Sequence, residues 1–254
     1  MKHLPTLFRH ELRVLLVAPS TYVAGVLALF IMGFFYFYVV IETAVREQET
    51  PPSELFFSTF WIPVLLIVPM LTMRSIAEER RLGTLQTLMT TPVTAAEVVT
   101  SKFLAAYTFY IVLWACAGAY PLIAVTILGQ ETAGHVLLEP GPLFGGYAFV
   151  CLTGTLFVAV GIFSSSLTRS QLVAGMLSFS VIFLLIVGVL AVKAVGSNVE
   201  ALPLLSDEGL GYIQIFEHFE DFTRGVIDTR PVVYYLSGTV LVLALSTLVV
   251  ESRA

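Results

Sequence analysis

Apolar positions along this chain come in long unbroken runs separated by short polar stretches. A membrane β-barrel would show ~10-residue alternating segments, whereas spanning helices need roughly 20 apolar residues each. Six runs fit helical spans, at roughly 20–41, 55–73, 99–128, 143–165, 171–192 and 232–250. Ahead of them, Leu4, Leu7, Phe8, Leu12, Leu15 and Leu16 recur at helical spacing opposite Arg9, His10 and Arg13. That pattern predicts an interfacial helix over 1–18, lying flat on one leaflet with its basic face toward headgroups and ended by Pro19-Ser20.

The polar stretches carry their own patterns. Between the second and third runs, Glu78, Glu79, Arg80 and Arg81 stand side by side, followed by Leu82, Leu85, Leu88 and Met89. The spacing predicts one amphipathic helix that cannot enter the bilayer core and so lies at its surface. Thr94-Ala-Ala-Glu97 fits a capping box opening the third helix, and Gly129 fits its stop. Ser164 to Ser170 reads as a tight polar turn. The connection 193–231 interleaves Ile213, Ile215, Phe216, Phe219 and Phe222 with Glu217, His218, Glu220 and Asp221, and Val226 and Ile227 extend the apolar set. It predicts one or two short amphipathic helices on the outer mouth of the bundle, as a simple cap or as a gate or docking surface.

Composition agrees with a membrane protein: 57% of residues are hydrophobic and 12% charged, against about 25% charged in soluble domains. The expected fold is all-α: six transmembrane helices in a single domain over 1–254, an N-terminal interfacial helix, a surface helix within 74–94 and external amphipathic helices between spans five and six. Counting Lys and Arg sets the orientation. Lys2, Arg9, Arg13, Arg74, Arg80, Arg81, Lys102, Arg169 and Arg253 fall on one side, and Arg46, Lys193, Arg224 and Arg230 on the other. Both termini and residues 74–94 are expected in the cytoplasm and 193–231 outside. The N-terminus lacks the pattern of a cleavable signal peptide.

Candidate chemistry is sparse. Cys116 and Cys151 sit in apolar runs and read as small buried hydrophobes, with no disulfide or zinc spacing. His3, His10, His135 and His218 read as surface or headgroup-level residues. No ionisable side chain falls near the middle of a span, which argues against an ion-driven carrier or an intramembrane protease. Mid-span hydroxyls such as Thr153, Thr155, Ser178 and Ser180 read as packing groups. No phosphate-binding loop, catalytic triad or metal cluster is visible, so no catalytic, cofactor or metal residues are expected. A chain of this kind that moves anything draws its energy from a partner. Residues 74–94 are where a partner could push, or they are an ordinary solvated charge run.

The run Met73-Arg-Ser-Ile-Ala-Glu-Glu-Arg-Arg-Leu-Gly-Thr-Leu-Gln-Thr-Leu-Met-Thr-Thr-Pro-Val93, with Lys102-Phe103 at the base of the third span, resembles the signature of ABC-2 type transporter permeases. Phe219 to Tyr235 resembles the segment before the last span in the gliding-motility-type permease, to which the nitrous-oxide-reductase maturation permease is related. Gln86 departs from the family pattern, where Glu is usual. The resemblance implies a bacterial inner-membrane permease subunit, itself not an enzyme. A cytoplasmic ABC ATPase that binds ATP and Mg, and a second permease unit of the same or a different chain, are the expected partners. An outer auxiliary subunit and membrane lipids join them, and nucleic acid does not. It implies an ATPase-coupling set of Arg74, Glu78, Glu79, Arg80, Arg81, Leu82, Gly83, Thr84, Leu85 and Leu88, with the charges at the rim and Leu82, Leu85 and Leu88 as the apolar anchor. An external motif of Arg224, Gly225, Asp228 and Arg230 accompanies it, Asp228 fixing the turn into span six or facing a partner. The competing role is a membrane scaffold that uses the ATPase mechanically to remodel an outer complex without passing a substrate.

Overall fold

A computed structural model describes residues 3–45, 51–128, 137–188, 214–225 and 229–253. Within them the chain forms α1 (Leu4–Val17), α2 (Pro19–Val45), α3 (Pro52–Ser58), α4 (Trp61–Thr72), α5 (Ala77–Leu82), α6 (Thr84–Met89), α7 (Ala95–Ala117) and α8 (Ala119–Leu128). These are followed by α9 (Pro140–Leu167), α10 (Gln171–Phe183) with a π-helical turn at Leu184–Gly188, α11 (Ile215–Thr223) and α12 (Thr229–Arg253). No strand occurs among the described residues. Among the described residues, six helical runs are long and apolar enough to cross a membrane: Pro19–Thr43, Trp61–Leu82, Ala95–Leu128, Pro140–Leu167, Gln171–Gly188 and Thr229–Arg253.

Prolines explain where the runs break. Pro63 has no N–H to give the Thr59 carbonyl, and its ring crowds that carbonyl, so the helix entering the second span interrupts at Thr59 and Phe60, between α3 and α4. Pro121 does the same to Ala117, and the long third run divides at Gly118, between α7 and α8. The start of α7 follows its local signal. The Glu97 amide donates to Thr94 Oγ1 at 3.3 Å, and the Thr94 amide donates to Glu97 Oε2 at 3.2 Å, which completes the capping box.

The hub is α9, which packs most extensively along α12 and also meets α10, α11, α7, α4 and α3. Its buried face carries Phe149, Phe157 and Ile162. Close approach depends on small residues, as in other membrane bundles. A Cβ on Gly161 would lie 2.3 Å from Thr72 Oγ1, so only glycine lets α4 pass there. Thr239 Oγ1 on α12 donates to Thr155 Oγ1 at 3.0 Å, a hydroxyl acting as an interhelical tie. At one end of the bundle Phe60, Phe149 and Phe219 form an aromatic cluster, with ring centroids 5.1 Å apart for Phe60–Phe149 and 5.4 Å for Phe149–Phe219.

Several expectations are corrected. The segment after span two is not one helix: α5 and α6 meet at Gly83, whose φ is +74°. Left-handed backbone is costly for any residue with a Cβ. Ser164, Ser165 and Ser166 do not belong to the tight polar turn expected over 164–170. They are buried inside the last turn of α9. His218 is not at the surface. It is buried on α11, its Nδ1 3.3 Å from the Tyr235 hydroxyl. Cys116 is exposed on the outside of α7 and Cys151 is half-buried, so neither is a fully buried hydrophobe. The expectations for Arg46, Gly129, His135, Lys193, Ile213, Val226, Ile227 and Asp228 fall outside the described residues.

Candidate functional site: the charged end of the bundle

Residues 73–94 are bolted to the helices beneath them. The first N–H groups of any helix lack intrahelical acceptors. Those of Ile76 and Ala77 both donate to Ser165 Oγ of α9, each at 3.0 Å, and the Ser165 hydroxyl donates to the Met73 carbonyl at 3.3 Å. Ile76 and Ala77 are fully buried. One turn later the Arg80 guanidinium donates to the Ser166 carbonyl. Arg74 Nη1 donates to Ser20 Oγ at the start of α2, at 2.9 Å.

The strongest tie is ionic. Lys102 sits two turns inside α7 with its side chain only 1% exposed. Its Nζ lies 2.7 Å from Glu79 Oε1 and 2.8 Å from Glu11 Oε1. One buried cation thus joins α1, α5 and α7. A buried charge survives only when it is paired and hydrogen-bonded, and two carboxylates meet that demand here. The interfacial-helix pattern rests on the basic face of α1 and does not single out Glu11. An acid on that otherwise basic polar face, and a single Lys inside an apolar run, were the signals available.

The proposed coupling residues therefore divide. Arg74, Glu79, Arg80 and Leu85 face the membrane domain, Leu85 being 2% exposed. Arg81, Leu82, Gly83 and Thr84 face outward, with Leu82 63% exposed, and Glu78 and Leu88 are half-buried. Arg81 Nη2 lies 3.7 Å from Glu78 Oε1, an exposed pair on the outward side. Exposed pairs of this kind contribute about 0–1 kcal/mol, so both charges are available to a partner. The outward face is a bent ridge of two short helices with one prominent leucine at the bend.

The charged end also collects other segments. Arg253 Nη1, at the close of α12, donates to the Leu167 carbonyl at 2.9 Å. The N-terminal helix, residues 73–94, the α9–α10 turn and the C-terminal residues, which the charge count places on one side, thus meet at one end.

The described part of the external motif begins at the end of α11, which lies at the opposite end of the bundle beside α3 and the start of α9. Arg224 Nη2 is 3.4 Å from Glu220 Oε2, both exposed. Gly225 takes a φ of +77° and turns the chain after α11. Arg230 is exposed in the first turn of α12. The apolar face of α11 is not a free surface: Ile215, Phe219 and Phe222 are buried against the bundle.

A family model described as ABC-2 family transporter protein matches residues 6–251. No curated protein matches the chain.

Proposed function

The chain belongs to the ABC-2 transporter family, and from that membership we propose that it is the permease subunit of an ATP-driven exporter, moved by a separate ATPase that docks on residues 73–94. One observation carries the reading. The inward side of this segment is fastened to α1, α7 and α9, while its outward side offers Glu78, Arg81, Leu82 and Thr84. A segment fastened on one side and presented on the other passes force between whatever binds it and the helices beneath. Leu82 is the apolar anchor, and Glu78 and Arg81 are the charged rim around it.

In this reading ATP and Mg bind the ATPase, not this chain. Two six-span units make the membrane part, of one or two kinds of chain. Movement of the ATPase pair tilts the units and opens or closes a path between them. The Lys- and Arg-rich end faces the cytoplasm of a bacterium, with both termini there. The run from Phe219 to Tyr235 supports a place in the gliding-motility-type subgroup, where an outer auxiliary subunit meets the far end.

The test is a pair of variants, Leu82→Asp and Glu78→Arg, co-expressed with the ATPase. Loss of the ATPase from the purified complex and loss of transport are expected, because the outward side is altered while the inward bonds stay intact. Full recovery of both complex and transport in Leu82→Asp overturns the docking assignment.

A further inference from the structure

Four arginines line one cavity at the charged end. Arg80 and Arg81 reach it from α5, Arg169 from the α9–α10 turn and Arg253 from the close of α12, with Gln86 and Leu82 completing the wall of a space of about 320 Å³. An adjoining open surface depression of about 460 Å³ shares Arg81 and Arg169 and adds Ser170, Gln171 and Leu172. No carboxylate lines either space among the described residues. Glu78 meets Arg81 only from the exposed side, at 3.7 Å. Two of the guanidiniums are held by the free carbonyls at the end of α9: Arg80 donates to Ser166 and Arg253 to Leu167.

Like charges brought together from three separate segments repel, and no carboxylate in the wall neutralises them. Arginine's planar fork matches phosphate oxygens better than any other side chain does. We propose that this cavity is a binding site for a phosphate group, supplied by the headgroup of an anionic membrane lipid. The lipid source follows from the rim. Leu82 and Leu172 line the same spaces and are 63% and 73% exposed. Leu172 opens the apolar outer face of α10, where an acyl chain would continue from a headgroup held at the arginines. A bound phosphate would bridge α5 to α10 and α12, linking the segment proposed to meet the ATPase to two membrane helices that Lys102 does not reach.

The inference stands apart from the ATPase reading: Arg80, Arg81 and Leu82 belong to both surfaces, but Arg169 and Arg253 lie outside the proposed docking face and carry the test. It is tested on the purified full-length chain alone, in a zwitterionic detergent, by thermal shift with short-chain phosphatidylglycerol, short-chain phosphatidylcholine and inorganic phosphate. Phosphatidylglycerol is expected to raise Tm most. The double variant R169Q/R253Q changes only exposed side chains and should weaken its apparent affinity at least about tenfold, as should 1 M NaCl, by screening. R253Q alone, a single change of an exposed side chain, gives an intermediate loss and guards against a folding defect. A response to inorganic phosphate as strong as that to the lipid supports the site and assigns it to a soluble phosphate. Equal responses of wild type and double variant to all three probes overturn it.

Discussion

Lys102 and Ser165 show how single side chains hold the charged segment in place. Removing Lys102 leaves Glu11 and Glu79 facing one another in a buried site. Loss of one partner from a buried ion group costs about 3–5 kcal/mol. Lys102→Met should therefore lower the stability of the purified protein sharply in a denaturant or thermal titration. Glu11→Gln should cost less, because Glu79 still neutralises the lysine. A Lys102→Met protein as stable as wild type would mean that the triad is not formed. Ser165→Ala strands the Ile76 and Ala77 amides in a buried place, at a cost of about 1–3 kcal/mol. Hydrogen exchange should report it as faster opening of residues 76–80 specifically, with α9 itself unchanged.

At the scale of elements, the bend at Gly83 and the crossing at Gly161 decide how the segment is presented. Gly83 meets no neighbour that a Cβ would strike, so a substitution there acts through φ alone. Gly83→Ala should cost about 1–2 kcal/mol of local stability and favour one continuous helix. The expected readout is a weaker complex with the ATPase at unchanged membrane insertion. Gly161→Leu is a packing change, since its side chain would drive into Thr72 and part α4 from α9. It should destabilise the whole bundle by about 1–3 kcal/mol, seen as a lower melting temperature even without the ATPase.

For the molecule as a whole, the two ends have different chemistry. One gathers basic and acidic groups around 73–94, and the other is closed by aromatic packing between the α3–α4 junction, α9 and α11. Large apolar side chains such as Phe30, Val240 and Leu248 stay exposed on the flanks of α2 and α12, as a helix that crosses a bilayer requires. The proposed orientation predicts opposite labelling of the ends. In a Cys116→Ser, Cys151→Ser background, Arg224→Cys should react with a membrane-impermeant maleimide on intact cells. Thr84→Cys should react only after permeabilisation, and the reverse pattern would invert the topology.

The sequence by itself determined the helical class, six spanning runs, the capping box at Thr94 and the charged interruption that marks the family. These rest on composition and on hydrogen bonds reaching only three or four residues, so a linear reading captures them. It also grouped the segments that meet at the charged end, because charge asymmetry is a property of the loops themselves. Only the tertiary structure decided which charges hold the fold and which are presented. Glu78 and Glu79 are alike in sequence, yet on a helix adjacent residues point about 100° apart. One pairs at the surface, and the other reaches a lysine 23 residues away that is shared with Glu11, 91 residues from it. The inward turn of Leu85, the burial of Ser165 and His218 and the meeting of four arginines at one cavity have the same cause. Each depends on partners brought from distant parts of the chain, and no local pattern encodes that proximity.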